Sequence, residues 1–218
     1  MTRLTVDIVS DVMCPWCYIG KKRLETAIAS LDPSMEIELA WRPFQLDPTL
    51  PKEGKDRRRY LEEKFGSPER AGQAYASIRE AGAVEGIPFD FEAIKVSSNT
   101  LDAHRLIRWA ASAGDAVQDR VVERLFRMYF IEGKNIGDNA NLLEAASAAG
   151  MDEPVVRALL DSDKDRTEVL QEIDTAQRMG VTGVPCFILD RRYAVMGAQP
   201  AEALARAINE LAAQKNTA

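Results

Sequence analysis

Two residues separate Cys14 from Cys17 in the run Cys14-Pro15-Trp16-Cys17, and cysteines so spaced can close a disulfide when one helical turn brings their side chains together. The pair follows the alternating stretch Leu4-Thr5-Val6-Asp7-Ile8-Val9, and Pro15 suits the first turn of a helix, where its missing N–H costs nothing. Cys14 is therefore expected at a helix N-terminus, facing free backbone amides and the positive end of the helix dipole, which favour thiolate over thiol. This predicts a low-pKa, exposed attacking sulfur at Cys14. Cys17, one turn further and on the inward face, is expected to be the shielded thiol that resolves a mixed disulfide. Trp16 offers a flat apolar surface beside the reactive sulfur.

Other readings compete. A C-x-x-C half-site for zinc needs two more ligands, and only Cys186 and His104 remain as soft candidates, with no second close pair. No metal is expected. Two inert buried cysteines fit poorly with Pro15-Trp16 between them. His104, the single histidine, sits on a helix starting near Ser98-Asn99 and reads as a half-buried, hydrogen-bonded residue; the other reading has it face the cleft and tune Cys14. Cys186 reads as a small buried strand residue rather than a regulatory thiol. Phe126, Met128, Tyr129 and Phe130 are spaced for core packing. Arg57-Arg58-Arg59 precedes Glu62-Glu63 and reads as a solvated helix face with local ion pairs.

The elements that must hold the pair are legible. Leu4 to Ser10 alternates as a strand. The helix from Cys14-Pro15 turns Cys17, Gly20, Leu24, Ala27, Ile28 and Leu31 inward and puts Lys21, Lys22, Arg23 and Glu25 on other faces. Asp32-Pro33 stops it, and Glu36 to Trp41 alternates as a second strand, expected parallel to the first. Strand character then vanishes. Helix starts stand near Asp56, Ser67, Ser98, Asp115, Asn139, Asp152 and Lys164. Val184–Leu189 and Tyr193–Met196 follow as a hairpin turning at Asp190-Arg191-Arg192, and a last amphipathic helix begins at Pro200, with residues 214–218 expected to fray. The pattern divides the chain into residues 1–50 and 181–218, which build a small sheet domain, and a helical insertion over 51–180.

With 46% hydrophobic and 28% charged residues, and no apolar run near the length that spans a bilayer, the composition is that of a globular domain. A net charge of −6 argues against nucleic acid or an anionic membrane as partner. The first residues carry neither the apolar block nor the cleavage site of a signal peptide, so a cytoplasmic address is expected. Three cysteines are too few for a secreted disulfide framework. Oligomeric state is not legible.

Four segments together resemble the FrnE branch of the DsbA family: Asp11-Val12-Met13-Cys14-Pro15-Trp16-Cys17-Tyr18-Ile19-Gly20, Trp41-Arg42-Pro43-Phe44-Gln45-Leu46, Ser98-Asn99-Thr100 to His104-Arg105, and Gly180-Val181-Thr182-Gly183-Val184-Pro185. The resemblance covers essentially the whole chain. It implies an α/β, thioredoxin-like fold with a large all-helical insertion, and disulfide oxidoreductase or isomerase activity on client proteins. It also implies a cis Val184-Pro185 bond beside Cys14, with Pro15, Trp16, Val184 and Pro185 bordering the substrate; residue patterns alone equally allow a trans edge-strand proline. Periplasmic members carry a histidine between the cysteines, where this chain has Trp16. In a cytosol poised at about −220 to −320 mV, a pair of moderate thiol pKa rests as the dithiol and favours reduction or isomerisation. No bound cofactor is expected, and glutathione or another low-molecular-weight thiol is the candidate electron partner. Kappa-class glutathione transferases and 2-hydroxychromene-2-carboxylate isomerases share the architecture but use a serine where Cys14 stands. A glutathione-dependent transferase or isomerase is thus one alternative, and a non-catalytic peptide-binding chaperone is another.

Overall fold

In the computed structural model, which describes residues 2–216, the first alternating stretch forms β1 (Thr2–Ser10), followed by α1 (Pro15–Ala29) and β2 (Met35–Pro43). The two strands pair in parallel from Thr2 beside Met35 to Ser10 beside Pro43, the direction that a strand-helix-strand crossover imposes. Leu4, Val6, Ile8 and Val9 are all buried. Burial on both strand faces follows from helices covering both sides of the sheet.

The middle of the chain carries β3 (Lys55–Asp56), α2 (Arg57–Phe65), α3 (Pro68–Val84), β4 (Val96–Ser97), α4 (Leu101–Ala111), α5 (Asp115–Phe130), α6 (Asn139–Ala148), α7 (Glu153–Leu160) and α8 (Arg166–Arg178). Several starts are capped as their sequences suggest: Asp56 accepts from the Arg59 amide, Ser67 from Arg70 and Asp152 from Val155. The short antiparallel pair β3–β4 has no sequence signal and was not expected. It ties the start of α2 to the segment leading into α4.

The chain then returns to the sheet with β5 (Cys186–Leu189), β6 (Tyr193–Met196) and α9 (Ala201–Asn216), in the strand order β2-β1-β5-β6. β5 runs antiparallel to β1, with Val9 opposite Cys186 and Val6 opposite Leu189. The β5–β6 hairpin turns through Asp190 and Arg191 at φ of 49° and 57°, the left-handed region that tight hairpin turns use. This is a mixed sheet flanked by helices, a DsbA-like thioredoxin fold with a helical insertion.

Two expectations need correction. Lys21 does not lie on a solvent face: it is buried, because α5 packs along that side of α1, and its ammonium meets Glu25, Asp119 and Glu123. Residues 214–216 are not frayed, since α9 continues to Asn216 and Lys215 donates to the Arg3 carbonyl at 2.9 Å, while Thr217 and Ala218 lie outside the described residues. The expected aromatic core does form. Tyr18 of α1 stacks on Phe126 of α5 at 4.9 Å, and Phe130 meets Phe89 edge to face at 5.4 Å, so one aromatic cluster joins the redox helix to the insertion.

Candidate active site

The loop from β1 to α1 is built around Asp11. Its backbone carbonyl accepts from the Cys14 amide at 2.9 Å, and its carboxylate accepts from the amides of Met13 at 3.3 Å and Leu46 at 2.8 Å. These bonds set Cys14 as the N-cap of α1 in extended conformation, with Pro15 as the first helical residue. The Cys14 carbonyl then accepts from the Cys17 amide at 3.0 Å, which fixes the two cysteines one turn apart.

Cys17 is 1% exposed. Burial pushes its thiol well above the ordinary range, and the hydrogen bond to the Cys14 sulfur and that sulfur's charge push the same way, outweighing the Ser10 hydroxyl and the Asp11 amide. Cys14 donates to the Val184 carbonyl across 3.7 Å, and the Val184-Pro185 bond is cis. Pro185 itself is buried against α1. A Cβ on Gly20 would stand 2.9 Å from Pro185 Cγ, so this position requires glycine.

Cys14 is only 4% exposed, which corrects the expectation of an exposed sulfur. The cause is tertiary: α2 and α3 roof the redox pair, leaving a groove of about 420 Å³ lined by Pro15, Trp16, Tyr60, Tyr75 and Val184 as well as Cys14. Trp16 is the exposed member, at 37%. Pro185 is not in the groove wall.

Arg57 and Lys64 also face this groove; Lys64 was not singled out by sequence reasoning, and Arg57 was expected on a solvated helix face. Arg58 and Arg59 form the expected ion pairs with Glu62 and Glu63, but Arg57 turns inward and is 6% exposed. The signal was present in the spacing: the residue four beyond Arg57 is Leu61, where the other two arginines have glutamates.

The remaining candidates lie behind the site. His104 is not the half-buried, hydrogen-bonded residue expected: at 3% exposure it is fully buried by the packing of α4 behind the Cys14 loop, and its Nε2, 3.5 Å from Asp11 Oδ1, has no hydrogen-bond partner among the described residues. Cys186 is fully buried with Val9, Phe44, Ala176 and Val181, and burial pushes its thiol up. Among the described residues no three His, Cys, Asp or Glu side chains gather as a metal site, and no helix is long and apolar enough to cross a membrane.

A mixed sheet that presents a C-x-x-C pair at a helix start, with a cis-proline loop against the first sulfur, has the form of a thioredoxin-like oxidoreductase. The chain belongs to the DsbA-like thioredoxin domain family, whose model matches residues 5–209. A probable DsbA oxidoreductase from Streptomyces coelicolor is 34% identical, superimposes with a TM-score of 0.86, and is matched over 95% of this chain and 89% of its own. YwbO, an uncharacterised protein of Bacillus subtilis, is 25% identical over 185 residues, covering 84% of this chain and 86% of its own. The cytosolic disulfide reductase DsbM of Pseudomonas aeruginosa, solved with GSH, shares the fold at 17% identity and a TM-score of 0.60, over 98% of both chains.

Proposed function

We propose that this chain is a cytoplasmic, FrnE-like thiol-disulfide oxidoreductase or isomerase that works through Cys14 as nucleophile and Cys17 as resolving thiol. The observation that carries the reading is the asymmetry of the pair: Cys14 lines the groove, whereas Cys17 lies behind it at 1% exposure, where burial pushes its thiol up. The Cys14 thiolate attacks one sulfur of a substrate disulfide; a new S–S bond forms and the other substrate sulfur leaves as thiolate. Cys17 then loses its proton and attacks Cys14, the second substrate thiol departs, and the enzyme holds the Cys14–Cys17 disulfide. Two electrons have passed to the substrate. Pro15, Trp16 and Val184 line the groove through which it arrives, and Pro185 fixes the Val184 carbonyl.

The substrates are disulfides of client proteins or of low-molecular-weight thiols. Glutathione or a similar thiol is the electron partner in this reading, as suggested by the shared fold of DsbM, whose structure holds GSH. Reduction or isomerisation is the favoured direction, because a cytosolic poise of about −220 to −320 mV keeps such a pair as the dithiol. The test is Cys17→Ala protein recovered from its host and read by non-reducing electrophoresis and mass spectrometry. A mixed disulfide at Cys14 is expected, and its absence, with no loss of disulfide reductase activity, would refute the mechanism.

A further inference from the structure

α2 and its flanks carry five basic side chains from Lys55 to Lys64, and these divide sharply by partner. Lys55 and Arg59 pair with Glu63, and Arg58 pairs with Glu62. Arg57 and Lys64, the two that line the groove beside Cys14, have no carboxylate within 4.0 Å among the described residues. Lys64 reaches only the Tyr60 hydroxyl at 3.2 Å and lies 5.4 Å from the centre of that ring.

Arg57 is the more telling of the two. Its guanidinium is buried, yet its neighbours are hydroxyls: Ser97 Oγ at 3.3 Å, Tyr129 at 3.4 Å, and Tyr75, over whose ring it also lies. Its Nε meets no acceptor. A buried charge is costly unless it is paired, and neutral hydroxyls give this one no direct ion pair; the nearest buried carboxylate, Asp11, acts on it only through the shared neighbours Tyr60 and Tyr129. No aspartate or glutamate lines the groove. Of the acids close by, Glu62 is taken by Arg58 and Glu63 by Lys55 and Arg59, and Asp47 accepts from Thr49 at the edge of the neighbouring cavity. The wall next to the nucleophile thus carries two basic side chains and no acid of its own, in a protein of net charge −6, while the Asp11 carboxylate lies behind it and Asp47 approaches the Tyr60 hydroxyl from the neighbouring cavity.

The shape of the groove adds a size limit. Cys14 lies under α2 and α3 with little surface of its own, and the space beside it, about 420 Å³, falls at the small-molecule end of binding-site volumes. We propose that Arg57 and Lys64 form a carboxylate-binding subsite, and that the disulfide this enzyme reduces is a small, anionic one. The inference rests on the oxidoreductase reading above and names its substrate class. Lys64 contacts the carboxylate at the groove mouth, and Arg57 supplies the buried charge that draws it in. The anion orients the substrate so that one sulfur meets Cys14; that sulfur bonds to Cys14 while its partner leaves as a thiolate, and Cys17 completes the two-electron reduction.

The test is single-turnover oxidation of the reduced full-length protein by three small disulfides: glutathione disulfide as the anionic probe, 2-hydroxyethyl disulfide as the neutral one and cystamine as the cationic one. The rate ratio of anionic to neutral probe is compared between proteins, which cancels differences in leaving-group chemistry. The ratio is expected to fall about tenfold in Lys64→Glu and in Arg57→Gln, and in wild-type protein at high salt. Arg58→Gln, which changes a charge paired on the outer face, should leave it unmoved. Lys64 lies at an exposed helix position, so Lys64→Glu carries the test even if Arg57→Gln fails to fold. An equal ratio in wild type and Lys64→Glu overturns the subsite. A peptide disulfide flanked by aspartates that outpaces glutathione disulfide overturns the size limit and points to acidic protein segments. If no disulfide of any charge oxidises the protein, the oxidoreductase reading itself falls. If all three react and charge has no influence, only the subsite does.

Discussion

The sulfur of Cys14 and the carbonyl oxygen of Val184 stand 3.7 Å apart although 170 residues separate them in the chain. One end of that contact is set by the Asp11 loop and the other by Pro185 packed on Gly20. The reactive sulfur is thus held between the first and last portions of the sheet domain, and its reactivity depends on both.

Selective alkylation reports the asymmetry of the thiols. Cys17 and Cys186 have thiols pushed up by burial, whereas Cys14 opens on the groove. Iodoacetamide at neutral pH should modify Cys14 at least about tenfold faster than either of the others, as peptide mass spectrometry would reveal. Equal rates at the three positions would contradict the assignment of Cys14 as nucleophile.

The second half-reaction should depend steeply on pH. Cys17 attacks as thiolate, and its thiol is raised by burial first and then by Cys14. Once Cys14 is locked in a mixed disulfide it carries no charge, so burial remains as the main cause. Below that raised value, the thiolate fraction grows about tenfold per pH unit, and the rate of mixed-disulfide resolution should follow from pH 6 to 8. A stopped-flow profile that is flat over this range would show that deprotonation of Cys17 does not limit the step.

Gly20→Ala places a methyl group 2.9 Å from Pro185 Cγ and 3.2 Å from Phe187 Cζ. Overpacking of this kind costs about 1–3 kcal/mol, and here it also presses on the Val184 carbonyl. Urea unfolding should show the loss of stability, and the disulfide exchange rate should change with it. Unchanged stability would mean that the proline loop moves freely from α1.

Lys21→Met tests the buried charge cluster between α1 and α5. Burial pulls the lysine pKa down, but Asp119, Glu25 and Glu123 outweigh it and leave it raised above 10.5. A raised folded-state value means stability that is present below pH 10.5 and lost as the pH climbs through the folded value. Glu123 is the converse: burial opposes its charge, yet Lys21 and Lys22 hold it below 4.5, so its contribution is present above that pH and lost on acidification. Removing the ammonium should cost about 2 kcal/mol at neutral pH, less than for a fully buried pair because the carboxylates are partly exposed, and should weaken both pH limits. Thermal denaturation across pH 3 to 11 would detect either result.

Local patterns made much of this molecule readable before any coordinates. Alternation in Leu4 to Val9 and Glu36 to Trp41, the break at Asp32-Pro33, and Pro15 after Cys14 each act within a few residues and each specified an element that the structure contains. The inward positions Cys17, Leu24 and Ala27 were equally plain. What escaped were consequences of packing between distant segments. Lys21 is polar in any helical wheel, and only the arrival of α5 buries it. The low exposure of Cys14 and the inward turn of Arg57 both follow from where α2 comes to rest, and the β3–β4 pair that helps to set this is two residues long on each side, too short to leave a period.

The sheet topology also orders events in time. β1, α1 and β2 leave the ribosome before the helical insertion, but the central strand β1 lacks its second neighbour until β5 has been made, after that entire insertion. A nascent chain therefore carries Cys14 and Cys17 through the synthesis of the helical segments between β2 and β5 with no Val184 carbonyl beside them and no completed sheet beneath them. Contacts so distant in sequence form slowly and leave partly folded species open to side reactions. The thiols are most vulnerable to wrong pairing or oxidation before the protein is finished, and the strand that completes the redox site is also the one that ends this exposure.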